Sequence, residues 1–168
     1  STTEYLMDVP GIAKYWIKNG SDMVVWPYPN VHEDAIRVIM LAPVFGALAH
    51  MNGFLPIHAS AIEVNGKAVL FAGNSGTGKS TIASGFKERG YRVLADDISS
   101  ISFGDNNIPM LNQGYKHLKV WHDTAEKLGL DTDNLRKVRP ELEKYSLPLN
   151  CEFQDSIPVE KMYISQGF

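Results

Sequence analysis

The stretch AVLFAGNSGTGKST, Ala68 to Thr81, is an apolar run that passes without a break into a glycine-rich loop. Within it, Gly73-Asn74-Ser75-Gly76-Thr77-Gly78-Lys79-Ser80 satisfies every fixed position of the G-x-x-x-x-G-K-[ST] phosphate-loop pattern. Glycines at these places let successive backbone N–H groups turn inward around phosphate oxygens, and the helix that follows presents its positive end to the same charge. Ordinary residue frequencies put the four fixed positions together in only roughly one chain in 200 of this size. The setting between an apolar strand and an amphipathic helix excludes most of those coincidences. Residues Gly73 to Ser80, with Thr81, are therefore the expected nucleotide site for ATP and Mg2+, Lys79 reaching the β and γ phosphates and Ser80 offering a hydroxyl to the metal.

Outward from the loop, Ala59 to Val64 and Ala68 to Ala72 are strand-like runs joined by Asn65-Gly66-Lys67, a hairpin signature. Beyond it, Lys79 to Arg89 has helical composition, Gly90 suits a left-handed cap, and Tyr91 to Ala95 reads as a strand ending at Asp96-Asp97. A strand in this position is expected beside the phosphate-loop strand, which would deliver both carboxylates to the γ-phosphate. One acid suffices for magnesium, and a second can accept the proton of an attacking hydroxyl. The plainer alternative is that one binds metal through water and the other caps a turn. His58, in LPIHASA, is by itself more often a satisfied core histidine than a catalyst; set beside Asp96 it could orient that carboxylate. Ser60 and Cys151 read as packing residues.

The flanks are ordinary. The chain has 168 residues, enough for one domain with a continuous core, with 44% hydrophobic and 21% charged residues. A net charge of -3 provides no field that would gather nucleic acid. Cys151 is the single cysteine, so an intrachain disulfide is excluded, which fits a cytoplasmic protein. Lys14 to Lys18 and Met23 to Trp26 flank Asn19-Gly20 and predict a hairpin. Asn30 with Glu33 predicts a helix start, and Ile36, Ile39, Met40, Val44, Ala47, Leu48 and Met51 follow at helical spacing, with a kink at Pro43. The apolar run Val38 to Ala49 is shorter than a membrane span and reads as a buried helix. Asp123 with Glu126 predicts a second cap before a short helix closed by Gly129. Ile157 to Ile164 reads as a strand with no partner in view, which together with Ser1 at the start predicts a chain cut short at its ends.

The order His58-Ala-Ser-Ala, hairpin, phosphate loop, then RGYRVLADD over Arg89 to Asp97 resembles the catalytic domain of HPr kinase/phosphorylase. With the opening hairpin and Leu118-Lys119-Val120-Trp121, the whole chain also resembles the HPr-kinase-like proteins that accompany lasso peptides, which are understood to phosphorylate a serine of the precursor. The resemblance implies an α/β fold of the phosphoenolpyruvate-carboxykinase type, with a mixed sheet instead of a doubly wound one. It implies residues 1–54 as an N-terminal hairpin and helix packed on a core of residues 55–168, and a homo-oligomer. It makes Asp96 the catalytic base, His58 its partner, Lys79 the third catalytic group, and Ser80 and Asp97 the metal side. Lys119 departs from the family, whose bifunctional members carry an acid in a similar stretch; this puts phosphorolysis and a second metal in doubt. Arg136, Lys137 and Arg139 are the candidates for a basic segment holding the transferred phosphate, against an ordinary solvated charge run.

The leading expectation is thus an ATP-dependent serine kinase acting on a peptide or small protein, with neither nucleic acid nor membrane as partner. Two alternatives stay open: a phosphate-loop kinase for a small molecule, which usually needs an arginine-bearing lid, and a nucleotide-gated binding module that hydrolyses ATP slowly.

Overall fold

The computed structural model describes residues 3–114, 116–138, 142–149 and 156–165, so Arg139 and Cys151 lie outside the described residues. The chain divides into two compact units, Ser1–Pro56 and Ile57–Phe168.

In the first unit, β1 (Glu4–Val9), β2 (Ala13–Lys18) and β3 (Asp22–Pro27) form an antiparallel meander in that order. Asn19 and Gly20 both take positive φ between β2 and β3, the turn that this dipeptide predicts. Alternation in β2 buries Ala13, Tyr15 and Ile17 against helix α1 (Glu33–Met51), whose Ile36, Ile39, Met40, Ala47, Leu48 and Met51 face them. The Tyr15 hydroxyl donates to the Ile36 carbonyl at 2.9 Å. Pro43 is absorbed in a π-helical turn, Met40–Val44, because its ring removes an N–H from the ladder. Two expectations need correction here. The cap is His32, whose ring accepts from the Asp34 amide, because Asn30 is spent in a turn at positive φ. The helix has the length that the periodicity to Met51 predicts but is less enclosed than the buried helix expected of its apolar run. Over Glu33–Met51 it is long and apolar enough to cross a membrane by length and composition, and within it only Val44 and Gly46 are buried. One side of it packs on the meander.

The second unit is built on a seven-stranded mixed sheet in the order β4-β8-β9-β13-β6-β5-β7. In chain order its strands are β4 (Leu55–Ile57), which spans the junction of the units, β5 (Ala59–Val64), β6 (Lys67–Gly73), β7 (Val93–Ala95), β8 (Ser99–Phe103) and β9 (Pro109–Asn112). Helix α2 (Lys79–Glu88) joins β6 to β7. A second antiparallel sheet holds β10 (His117–Trp121), β11 (Arg136–Lys137) and β12 (Lys144–Pro148), with the short helix α3 (His122–Lys127) after β10. The last strand, β13 (Ser156–Ser165), completes the main sheet. Leu118 and Val120 of β10, Tyr145 of β12 and Ala83 of α2 pack with Ile62 and Val93, so the small sheet and the helix share one core over the main sheet. Helix α3 forms where predicted and Gly129 takes positive φ, but Trp121, not Asp123, occupies the cap position.

The mixed sheet implied by the resemblance is the one present, with two differences in neighbours. β7 lies beside β5 and not beside the phosphate-loop strand β6. β13 is far from unpartnered: its first residues run antiparallel to β9 and the remainder parallel to β6, Tyr163 opposite Phe71. An apolar run at a chain end finds its neighbour among strands distant in sequence, which no local pattern displays.

Candidate functional site

β5 is antiparallel to both β6 and β7. The start of β5 therefore lies at the same sheet edge as the ends of β6 and β7, which brings His58, Gly73 and Asp96-Asp97 together although β6 and β7 do not touch.

The loop after β6 has the conformation that its glycines allow. Gly76 and Gly78 take φ of 87° and 85°, and a Cβ at either would meet open space. Gly73, at φ 150°, lies so close to β13 that a Cβ would stand 2.6 Å from the Ser165 carbonyl oxygen. Gly78 leads directly into α2, whose free N–H groups face the loop. The Lys79 ammonium donates to the carbonyls of Gly73 at 2.9 Å and Asn74 at 2.7 Å, so it lies across the loop, and burial holds its pKa below the ordinary lysine value. Thr77 closes the turn by donating to the Asn74 carbonyl at 2.9 Å. These glycine cradles, free amides and a folded-back ammonium fit a polyphosphate.

The two acids occupy different surroundings. Asp96 is 6% exposed and is the acceptor for three elements at once. The Ser80 hydroxyl of α2 donates to it at 2.9 Å, the Ser60 hydroxyl of β5 at 2.5 Å, and the Lys119 amide of β10 at 2.8 Å. Burial pushes its carboxyl above the ordinary carboxylate range, against these hydrogen bonds, which pull it down. Asp97 sits at φ 74°, a left-handed position that turns the chain. It pairs with the Lys119 ammonium at 2.5 Å and stands 3.6 Å from His58 Nδ1, which also contacts the Asp97 carbonyl at 2.8 Å. The sequence expectation that His58 stands against Asp96 is thus corrected: its partner is Asp97.

A cavity of about 100 Å³ lies over the loop, lined by His58, Lys79, Ser80, Asp96, Asp97 and Lys144 among others. Among the described residues no group of three His, Cys, Asp or Glu side chains is placed to hold a metal. A magnesium ion here would rest on the Ser80 hydroxyl with nucleotide oxygens and water, the arrangement that this small, strongly hydrated ion prefers.

Several participants were not evident from the sequence. Ser60, read as packing, is fully buried and bonded to Asp96. Lys144 and Trp121 line the cavity, the ammonium 5.1 Å from the indole centroid. Of the basic candidates, Lys137 is paired with Glu143 on the same small sheet, and neither it nor Arg136 lines the cavity. No sequence motif marks Lys144, since its position follows from the register Trp121 opposite Lys144 between β10 and β12.

Comparison with known proteins finds similarity over part of the chain. A family described as SynChlorMet cassette protein ScmC matches residues 29–109. The HPr kinase/phosphorylase of Treponema pallidum (strain Nichols) is 42% identical over 90 residues, 52% of this chain and 27% of that protein. That of Bacillus cytotoxicus is 26% identical over 129 residues, covering 55% of this chain and 42% of its own length. Over about half of its length the chain is similar to HPr kinase/phosphorylases. It spans about a quarter to two-fifths of the length of these two relatives. A solved structure, the Hpr(Ser) kinase/phosphatase from Coxiella burnetii, aligns with a TM-score of 0.41 at 16% identity, covering 65% of this chain and 63% of that one. The matched family region, residues 29–109, contains His58, the phosphate loop and both aspartates.

Proposed function

We propose that the chain is a Mg-ATP-dependent kinase that phosphorylates a serine of a peptide or small protein. The observation that carries this reading is the Ser80–Asp96 hydrogen bond at the mouth of the phosphate loop, with a second carboxylate, Asp97, facing the same cavity. A hydroxyl at the loop and an acid at the end of another strand of the same sheet are the pair that phosphate-loop enzymes use to place magnesium. Bound there, magnesium supplies charge neutralisation at the β and γ oxygens.

This geometry favours a division of labour between the acids that reverses the sequence expectation. Asp96, saturated by Ser60, Ser80 and the Lys119 amide, keeps the metal-side hydroxyl oriented. Asp97, with 23% of its side chain exposed, is the carboxylate that an incoming hydroxyl can reach. In the transfer, the serine oxygen forms a bond to the γ-phosphorus, the bond from that phosphorus to the β–γ bridging oxygen breaks, ADP leaves, and the serine proton passes to Asp97. Lys79 and the loop amides stabilise the charge on the transferring group. The Lys119 ammonium must leave Asp97 for the proton to be accepted, and His58 steadies that carboxylate. The similarity to kinases found with lasso peptides makes a peptide precursor the first acceptor to test, in a cytoplasmic, homo-oligomeric protein.

Intact-mass analysis of candidate peptides after incubation with ATP and magnesium tests the reading: a gain of one phosphoryl group at serine is expected. Asp97→Asn should retain magnesium-dependent ATP binding and lose transfer by about a hundredfold or more. Asp96→Asn should lose the magnesium dependence of binding. Transfer at the wild-type rate by Asp97→Asn would overturn the division of roles.

A further inference from the structure

Lys79 and Lys144 line the cavity over the phosphate loop, Lys119 reaches one of its aspartates, and two of these three lysines are already engaged. Lys79 donates to two loop carbonyls, and Lys119 is held by Asp97. Lys144 differs. Among the described residues its ammonium has neither a carboxylate nor a carbonyl as partner, and it rests on the indole face of Trp121. It is half-buried there, and burial, followed by the neighbouring Lys119, holds its pKa below the ordinary lysine value, while Asp96 and Asp97 act in the opposite sense. A lysine so placed has the face of an aromatic ring where an ion-pair partner would otherwise sit.

The cavity it lines is small. About 100 Å³ accommodates a phosphoryl-sized group and is well below the volume of pockets that enclose a whole nucleoside. The base and ribose must lie outside it. Lys144 and Trp121 line it together with Lys79, His58, Asp96 and Asp97. Among the described lining residues, the ammonium that an entering anion would find without an oxygen partner is that of Lys144.

We infer that Lys144, held in place by the Trp121 ring, is a binding residue for the terminal phosphoryl group of the nucleotide, through which the site distinguishes a triphosphate from a diphosphate. This rests on the nucleotide site proposed above. Trp121 is then a positioning residue: it keeps the ammonium at the cavity without neutralising it, so the cation is available when a γ-phosphate arrives. The strand register makes the pair, since Trp121 and Lys144 are directly opposed across β10 and β12.

Isothermal titration of the full chain with a non-hydrolysable ATP analogue and with ADP, both with magnesium, tests this. The wild type should prefer the triphosphate. Lys144→Met should weaken the triphosphate by about tenfold and leave ADP within about twofold, as expected for loss of one charge-assisted contact. Retained ADP binding shows that the variant's site is folded. Lys144→Arg should restore most of the preference, and Trp121→Ala should weaken it partially. Equal loss for both nucleotides, or no loss for either, overturns the assignment while leaving the phosphate loop intact. A wild type that binds neither nucleotide overturns both readings.

Discussion

Asp96 is a buried carboxylate whose three donors do not offset the cost of its burial, so its proton affinity is raised. The sign of the consequence follows directly. Between the ordinary aspartate pKa and the raised value, the native chain binds a proton that the unfolded chain has released, so stability falls as pH rises through that window. Without nucleotide, the wild type should therefore gain stability on acidification through that window, and Asp96→Asn, which cannot bind that proton, should gain less. Urea melts of both proteins across that range check this; an identical slope for the two would remove Asp96 as the cause. At this scale the sequence showed which residues matter better than how they pair. The acids, the lysine of the loop and His58 are all legible because each sits in or next to a motif. The partner of His58 was not, since Asp97 turns the chain at a left-handed φ, and a single backbone angle has no signature when aspartate occupies it.

At the scale of elements, the phosphate loop depends on β13 as much as on its own glycines. Gly73 pairs with Ser165 in the parallel ladder, and a Cβ there would stand 2.6 Å from the Ser165 carbonyl oxygen. A backbone oxygen in a strand cannot retreat as the end of a flexible side chain can. Gly73→Ala should accordingly destabilise by about 2 kcal/mol or more, combining the clash with a φ that alanine rarely takes. Gly76→Ala, which meets open space, should cost only the strain of positive φ, about 1 kcal/mol. Thermal melts of the two variants should rank in that order, and equal losses would show that the approach of β13 does not constrain the loop. The hairpin of β5 and β6 and helix α2 were readable within a residue or two, because Asn-Gly turns, strand alternation and a glycine cap are local signals. The neighbours of β7 and β13 were not, because pairing order in a mixed sheet is decided by which apolar faces meet over the shared core. The consequence for function is small. β7 is one strand removed from β6 yet parallel to it, so its end still reaches the same edge.

At the scale of the molecule, the residues assigned to phosphate and metal all belong to the unit Ile57–Phe168. Ligand binding to the native chain alone adds RT ln(1 + [L]/Kd) to stability, about 2.7 kcal/mol at a hundredfold excess over Kd. For a chain of this size that is roughly 5–10 °C in Tm. ATP with magnesium should produce such a shift, and chelation by EDTA should remove most of it, because the Ser80 hydroxyl and Asp96 hold their part of the ligand only through the ion. Lys79→Met should abolish the shift with either nucleotide, since its ammonium sits across the loop that the phosphates must enter. Lys144→Met separates the two: it should keep the ADP shift and lose most of the additional shift given by a triphosphate. The alkaline side offers an independent check. Lys79 and Lys144 both have pKa values lowered by burial, so the native chain releases their protons before the unfolded chain does, and apo stability should rise with pH as those groups neutralise. Bound phosphates favour the charged ammonium groups, so the nucleotide-dependent shift should shrink over that same alkaline interval. Scanning fluorimetry with and without Mg-ATP across it would show the two trends crossing, and parallel curves would mean that neither lysine touches the phosphates.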